Sequence, residues 1–201
     1  MAIAPISTGV PSRVDVVLLK AMDQFEATIK RVTADQWDNA SPCDKWSVRE
    51  VVGHVVGTLR KVDLILNGEV PPSAPSDPGS VADSAPVRVF QDAAASVRQS
   101  LKKRSDDLLQ ETNLPAGNRP LSQAMEFPTA DVIVHDWDVA SATSQPFSLS
   151  DEFASHIVAT LEKFPDEALR GPGRLGDPKP VAEDADDSTK LMAWLGRDTS
   201  F

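Results

Sequence analysis

The chain has 201 residues, 41% hydrophobic and 25% charged, enough for one domain with a substantial core or one domain with a small appendage. Its net charge of -10, from 20 Lys and Arg against 30 Asp and Glu, argues against nucleic-acid binding, which needs clustered cations. The single cysteine, Cys43, rules out an intrachain disulfide and suits a reducing compartment. The opening MAIAPISTGVPSRVD has neither a basic n-region nor an apolar run. The expectation is therefore no secretory leader, no membrane span or membrane partner, and a cytoplasmic location.

From Arg13 to Val32, apolar residues at Val14, Leu18, Ala21 or Met22, Phe25, Ile29 and Val32 step by threes and fours, which predicts an amphipathic helix. Ser47-Val-Arg-Glu50 has the form of a capping box and opens a second helix. Its stripe is Val48, Val52, Val55, Leu59, Val62 and Leu66, with Gly68 as the stop. Residues 70–86 are too rich in Pro, Ser and Gly for an element, and so long a loop is often mobile or functional. A third helix follows Pro86 through Val87, Phe90, Ala94, Val97, Leu101 and Leu108. Residues 112–120 break it, and a fourth helix is predicted from about Pro128 to Thr143. A fifth covers Asp151 to Phe164, residues 165–188 read as loop, and Thr189 to Leu195 make a short last helix stopped by Gly196. Strand signals are nearly absent. Four main helices with long crossovers predict an all-α bundle, whose sites are built from inward side chains on facing helices.

The fourth helix carries the most chemistry. In DVIVHDWDVASAT, Asp131, His135, Asp138 and Ala142 share one sector of the helical wheel, opposite Ile133, Trp137 and Ala140. The polar sector either faces water or faces a cavity, and periodicity does not choose between the two. Asp131 and His135 stand at i and i+4, so both heads can reach one ion, and carboxylate and imidazole suit zinc and similar divalent metals. A third ligand must come from elsewhere. His54, in the apolar run VVGHVVG, is one candidate, although a lone His on an apolar face is more often a satisfied core residue. His156 reads as a surface or boundary residue. Cys43 could be a ligand or a nucleophile, but with only Lys45 nearby it reads better as a packing cysteine. Trp37, Trp46 and Trp194 read as core anchors, and the acidic run from Ala182 to Asp187 as a solvated loop.

Three motifs together resemble a known family. The pattern W-x-x-x-S-P-C-x-x-W-S-V-R-E-V-V-x-H from Trp37 to His54, the pattern D-x-x-x-H-x-W-D-x-A-x-A-T from Asp131 to Thr143, and L-x-A-W-L-G-R-D from Leu191 to Asp198 are similar to the DinB-like metalloproteins. The branch they resemble is the actinobacterial one with the mycothiol-dependent maleylpyruvate isomerases and related thiol transferases. The resemblance covers essentially the whole chain. It implies a DinB-like four-helix bundle over residues 1–146 and a short helical C-terminal extension over 147–201 packed on it. It implies a divalent metal held by His54, Asp131 and His135, with zinc first and iron or nickel as alternatives. It also implies that Arg197 acts as a structural clasp. Many relatives have Glu where this chain has Asp131, which is one methylene shorter. The isomerases also carry a larger C-terminal domain, whose substrate and thiol contacts are not carried over.

Three protein ligands leave a coordination position open, as in catalytic zinc sites. The implied chemistry is a thiolate of a small thiol such as mycothiol attacking an electrophilic carbon, in a transferase or isomerase. Asp138 could orient His135; the alternative is a surface acid or a hydrogen bond that packs the helix. The expected partners are a small electrophile and a small thiol, with a homodimer permitted. Two other functions stand beside this one: a non-catalytic metal-binding or stress-related protein, and a zinc-dependent hydrolase using activated water.

Overall fold

Helix α1 (Val14–Ile29) forms on the predicted stripe, and Val17, Leu18, Ala21, Met22, Phe25 and Ile29 are all buried. The computed structural model describes residues 12–43, 46–72, 77–82, 85–104, 106–115, 117–171 and 174–201. Residues 1–11, read above for targeting signals, lie outside this set. So do residues 44 and 45 of the SPCDKW motif and parts of the 70–86 loop.

Helix α2 (Val48–Leu66) starts as its sequence dictates. Ser47 accepts from the Glu50 amide, and the Glu50 carboxylate accepts from the Ser47 amide at 2.8 Å, so two otherwise unpaired donors are satisfied. Helix α3 (Pro78–Val81) follows, then α4 (Pro86–Arg104), α5 (Leu121–Ala142), α6 (Asp151–Leu161), α7 (Asp166–Leu169) and α8 (Asp187–Trp194). Helices α1, α5, α2 and α4 pack in that order around a common core, with α4 closing back on α1. Phe25 and Phe90 meet across α1 and α4 with ring centroids 5.0 Å apart. Helix α6 covers α5 and α1 from outside. The chain is thus all-α, with a four-helix bundle at its centre. Among the described residues no helix is long and apolar enough to cross a membrane.

Four boundaries differ from the sequence reading. Helix α5 begins at Leu121, and Pro128 lies inside it. The missing amide costs one hydrogen bond, but Leu121, Ala124 and Met125 gain burial by extending the helix, and tertiary packing wins. Helix α4 stops at Arg104, leaving Leu108 in the turn beyond. Two stretches read as loop hold short helices, α3 in 70–86 and α7 in 165–188. Asp77 caps α3 by accepting from Gly79, and the expected last helix, α8, starts at Asp187, two residues before Thr189, where Asp186 from the acidic run accepts from Thr189. Residues 112–120 also hold a small hairpin, β1 (Glu111–Thr112) paired antiparallel with β2 (Arg119–Pro120). Two-residue strands leave no periodicity to detect.

One close approach bears on the site. Helix α3 rests on α2 at Gly53, where an added Cβ would lie 2.0 Å from the Pro78 carbonyl oxygen. Only glycine lets the two backbones meet there. The 70–86 loop is thereby anchored one residue before His54.

Candidate metal centre

Helices α2 and α5 pack against each other as neighbours in the bundle. From α2 comes His54, with Thr58 one turn later; from α5 come Asp131 and His135, also one turn apart. The Asp131 carboxylate lies at the centre. His54 Nε2 is 3.0 Å from its Oδ2, His135 Nε2 is 3.3 Å from its Oδ1, and the Thr58 hydroxyl donates to Oδ2 at 2.9 Å. One ligand atom from each of His54, Asp131 and His135 lies within 4.8 Å of the other two. The polar sector of α5 therefore faces inward, and this group of three could hold a divalent ion. Two imidazoles and a carboxylate are a donor set suited to zinc and to iron(II).

The site has a closed floor and an open rim. The His135 side chain is only 6% exposed, Asp131 18% and His54 29%. A ligand reaching the three heads would approach on the His54 side, where α3 is anchored.

His135 is held from behind. Its Nδ1 lies 2.8 Å from Asp138 Oδ2, and a carboxylate can only accept there, so Nδ1 carries a proton and Nε2 faces Asp131. Asp138 in turn accepts from Arg197 Nε at its Oδ1 and from Arg197 Nη2 at its Oδ2, each at 2.9 Å. Both residues are buried. The surface-acid reading of Asp138 is thus wrong. Periodicity missed this because α5 is buried on nearly all sides, so a polar residue on it does not imply a wet face.

The electrostatics follow from this packing. Burial pushes the Asp131 carboxyl up, but the charges of His54 and His135 and their hydrogen bonds more than offset this and hold it well below the ordinary carboxylate range. Burial likewise lowers His135, yet Asp131 and then Asp138 outweigh it and raise the imidazole to about 9. Asp138 is lowered because Arg197, and then His135, overcome its burial.

Two further residues belong to this neighbourhood. The Trp46 ring lies 4.7 Å from the His54 ring and 5.8 Å from the His135 ring, so it walls both histidines as well as packing against the core. Its position just before the α2 cap was the only sequence signal for that. Cys43 is half-buried and groups with His135 and Asp138 at ligand-like separations. The sequence reading that only Lys45 adjoins it is corrected, because the fold brings His135 beside it. Trp37 and Trp194 are half-buried against the core. His156 is a boundary residue, as expected; its Nε2 bonds the Glu126 carbonyl oxygen at 3.0 Å.

Residues 18–140 match the family model of the mycothiol maleylpyruvate isomerase N-terminal domain. Two Mycobacterium tuberculosis sequences, the uncharacterized proteins MT0763 and Rv0738, are each 31% identical over 179 residues, covering 89% of this chain and 94% of theirs. Among solved structures, the mycothiol-dependent maleylpyruvate isomerase superposes with a TM-score of 0.55 at 14% identity, and a histidine-to-alanine mutant of the same isomerase does so at 13%. Each superposition covers 74% of this chain and 66% of the isomerase chain. This chain belongs to the mycothiol maleylpyruvate isomerase N-terminal domain family, and its bundle has the isomerase fold.

Proposed function

We propose that this protein is a metal-dependent enzyme of small-thiol chemistry, a mycothiol-type transferase or isomerase, with His54, Asp131 and His135 as the metal ligands. Family membership supports the thiol, and zinc is the first candidate for the ion. The observation that carries the metal reading is the convergence of three donors from two helices, with the third aimed by a buried carboxylate. A surface cluster of acids and histidines has no such backing.

When bound, the ion supplies Lewis acidity that keeps a small thiol in its thiolate form near neutral pH. The remaining work falls to side chains of this chain. Asp138 accepts a hydrogen bond from His135 Nδ1–H, which keeps the proton on Nδ1 and leaves Nε2 free to ligate. Thr58 holds one oxygen of Asp131 and limits its rotation. Trp46 excludes water from the ring faces of both histidines. The open rim beside His54 admits the thiol and a small electrophilic partner. This chain overlays 66% of the isomerase chain, so contacts that the rest of that chain makes are not carried over.

Elemental analysis of wild type, His54→Ala and His135→Ala after reconstitution at neutral pH tests the ligand set. The expected result is about one divalent ion per wild-type chain and loss from both variants. A wild type that stays metal-free overturns it. A mycothiol-dependent change in the spectrum of the cobalt-substituted protein, with turnover only when thiol is added, tests the chemistry. Turnover without thiol would identify a hydrolase, and no thiol response at all a binding protein.

A further inference from the structure

The arginine that reaches this centre comes from the far end of the chain. Helix α8 ends at Trp194, and Gly196, with φ of 86°, turns the backbone back toward the bundle. Arg197 then extends inward to Asp138 on α5, 59 positions earlier in the chain. Its fork makes two parallel hydrogen bonds to the carboxylate, a geometry that a lysine ammonium cannot reproduce.

The Asp138 carboxylate has no rotational freedom left. Oδ1 takes Arg197 Nε, and Oδ2 takes both Arg197 Nη2 and His135 Nδ1. The plane of the His135 ring, and so the aim of its Nε2, depends on where Arg197 holds that carboxylate. A buried ion pair of this kind is a poor device for stability, because desolvating both charges costs about as much as their attraction returns. Its geometry is better explained by what it orients.

The segment carrying Arg197 is itself fastened as a unit. Leu191, Met192, Ala193 and Leu195 are buried, and the Arg197 amide donates to the Met192 carbonyl at 3.0 Å. Arg170 stacks on the Trp194 ring at 4.7 Å and donates to the Trp194 carbonyl. An added Cβ at Gly196 would meet the Gly176 backbone at 2.8 Å, so no slack remains at the turn. Movement of α8 therefore moves the guanidinium.

We propose that Arg197 is a positioning residue for His135: acting through Asp138, it couples docking of the C-terminal segment to the affinity of the His54–Asp131–His135 centre for its ion. The proposal rests on the metal reading above. Outer partners of this kind are worth roughly 10- to 100-fold in metal affinity. By linkage, an ion in the centre favours docking of the α8 segment by the same factor.

Zinc affinity measured by competition with a chromogenic chelator, on the full chain, tests this in wild type, Arg197→Met, Arg197→Lys, Asp138→Asn and the Asp138→Asn/Arg197→Met double variant. Arg197→Met is expected to bind roughly 10- to 100-fold more weakly, and Arg197→Lys to recover only part of the loss. The double variant is expected to bind no more weakly than Asp138→Asn, since the two residues act in series. Zinc is expected to slow amide exchange over 187–197 in wild type and not in Arg197→Met. A lowered melting temperature with wild-type zinc affinity would show a purely structural clasp and overturn the proposal. If Arg197→Met fails to fold, Arg197→Lys and Asp138→Asn carry the same comparison. If wild type itself binds no zinc, the metal reading fails separately, and the positioning role is decided in the metal-free protein by imidazole NMR. A protected His135 Nδ1 proton in wild type that exchanges freely in Arg197→Lys supports positioning, and an unchanged proton refutes it.

Discussion

Asp136 follows His135 on α5 but faces the other way, toward α1. Replacing it with Asn should stabilise the protein in a pH-dependent way. The residue is 1% exposed; its Oδ2 accepts from Gln24 Nε2 at 2.8 Å, and among the described residues no hydrogen bond reaches Oδ1. Burial pushes the carboxyl from 3.8 up to about 6, and Thr28, Gln24 and the Arg31 charge recover only part of that. At about 1.4 kcal/mol per unit, the roughly two-unit rise costs about 3 kcal/mol once the group is ionised in the folded state. The sign is that of a raised carboxylate. Between about pH 4 and pH 6 the folded protein holds a proton that the unfolded chain has released, so stability falls as pH rises through this window and then levels off. Asn mimics the neutral acid, keeps an acceptor for Gln24 and lacks the charge. Asp136→Asn should therefore gain about 3 kcal/mol at pH 8 and nothing below about pH 4. Urea unfolding from pH 4 to 8, with a chelator present in both proteins, measures the difference, and the titration of His135, common to both, cancels. A gain that does not vary with pH, or a loss at pH 8, would refute the reasoning.

Gly53→Ala should lose stability in urea unfolding, because the clash is with Pro78 backbone atoms and outweighs the roughly 1 kcal/mol that Ala gains over Gly inside a helix. It should also push α3 away, because the new methyl would otherwise sit 2.0 Å from the Pro78 oxygen; amide exchange at the buried Ala82 should speed up, and unchanged exchange would contradict that contact. Phe25→Ala should cost about 3–5 kcal/mol in urea unfolding, because the fully buried ring meets Phe90 across α1 and α4. His54→Ala should retain its helical circular dichroism, because Val48, Val51, Val52, Val55, Val56 and Leu59 bury α2 without it; complete unfolding would mean that an ion holds the fold together.

The bundle was legible because its helices obey local rules. The Ser47–Glu50 box starts α2 where the pattern says, and the α1 stripe is buried as read. The errors fall where a distant contact outweighs a local rule. Pro128 marked a helix start, yet burial of Leu121, Ala124 and Met125 carries α5 past it. The 70–86 loop lacked any periodicity, yet α3 forms because Gly53 offers a bare backbone to rest on. The grouping of His54, Asp131 and His135 was readable from the i, i+4 spacing and the motifs together. The choice between Asp138 as an orienting residue and as a surface acid, and the place of Trp46 against both histidine rings, were not readable, because a helical wheel shows directions and not what lies along them. The partner of Asp138 is 59 residues away, and nothing local to α5 announces it.

Helix α5 shows that folding alone does not account for the arrangement of its polar cluster. It buries His135, Asp136 and Asp138 almost completely, in a helix already apolar enough to be a core element. Buried ionisable groups of this kind are commonly replaceable by apolar side chains with no loss of stability, or with a gain. The bundle would stand without them. The three ionisable residues facing α2 or α8 nevertheless have specific counter-groups: Asp131 has His54 and Thr58, His135 has Asp138, and Asp138 has Arg197. Asp136, on the α1 side, has an amide and a hydroxyl, with no cation in contact among the described residues, and burial dominates its titration. The contrast separates the two faces of one helix. Toward α2 the charges are arranged to hold one another in fixed directions, which a core does not need and a ligand set does. Toward α1 a lone carboxylate is merely tolerated, and so it is the residue whose charge can be removed with a gain in stability while the centre is left in place.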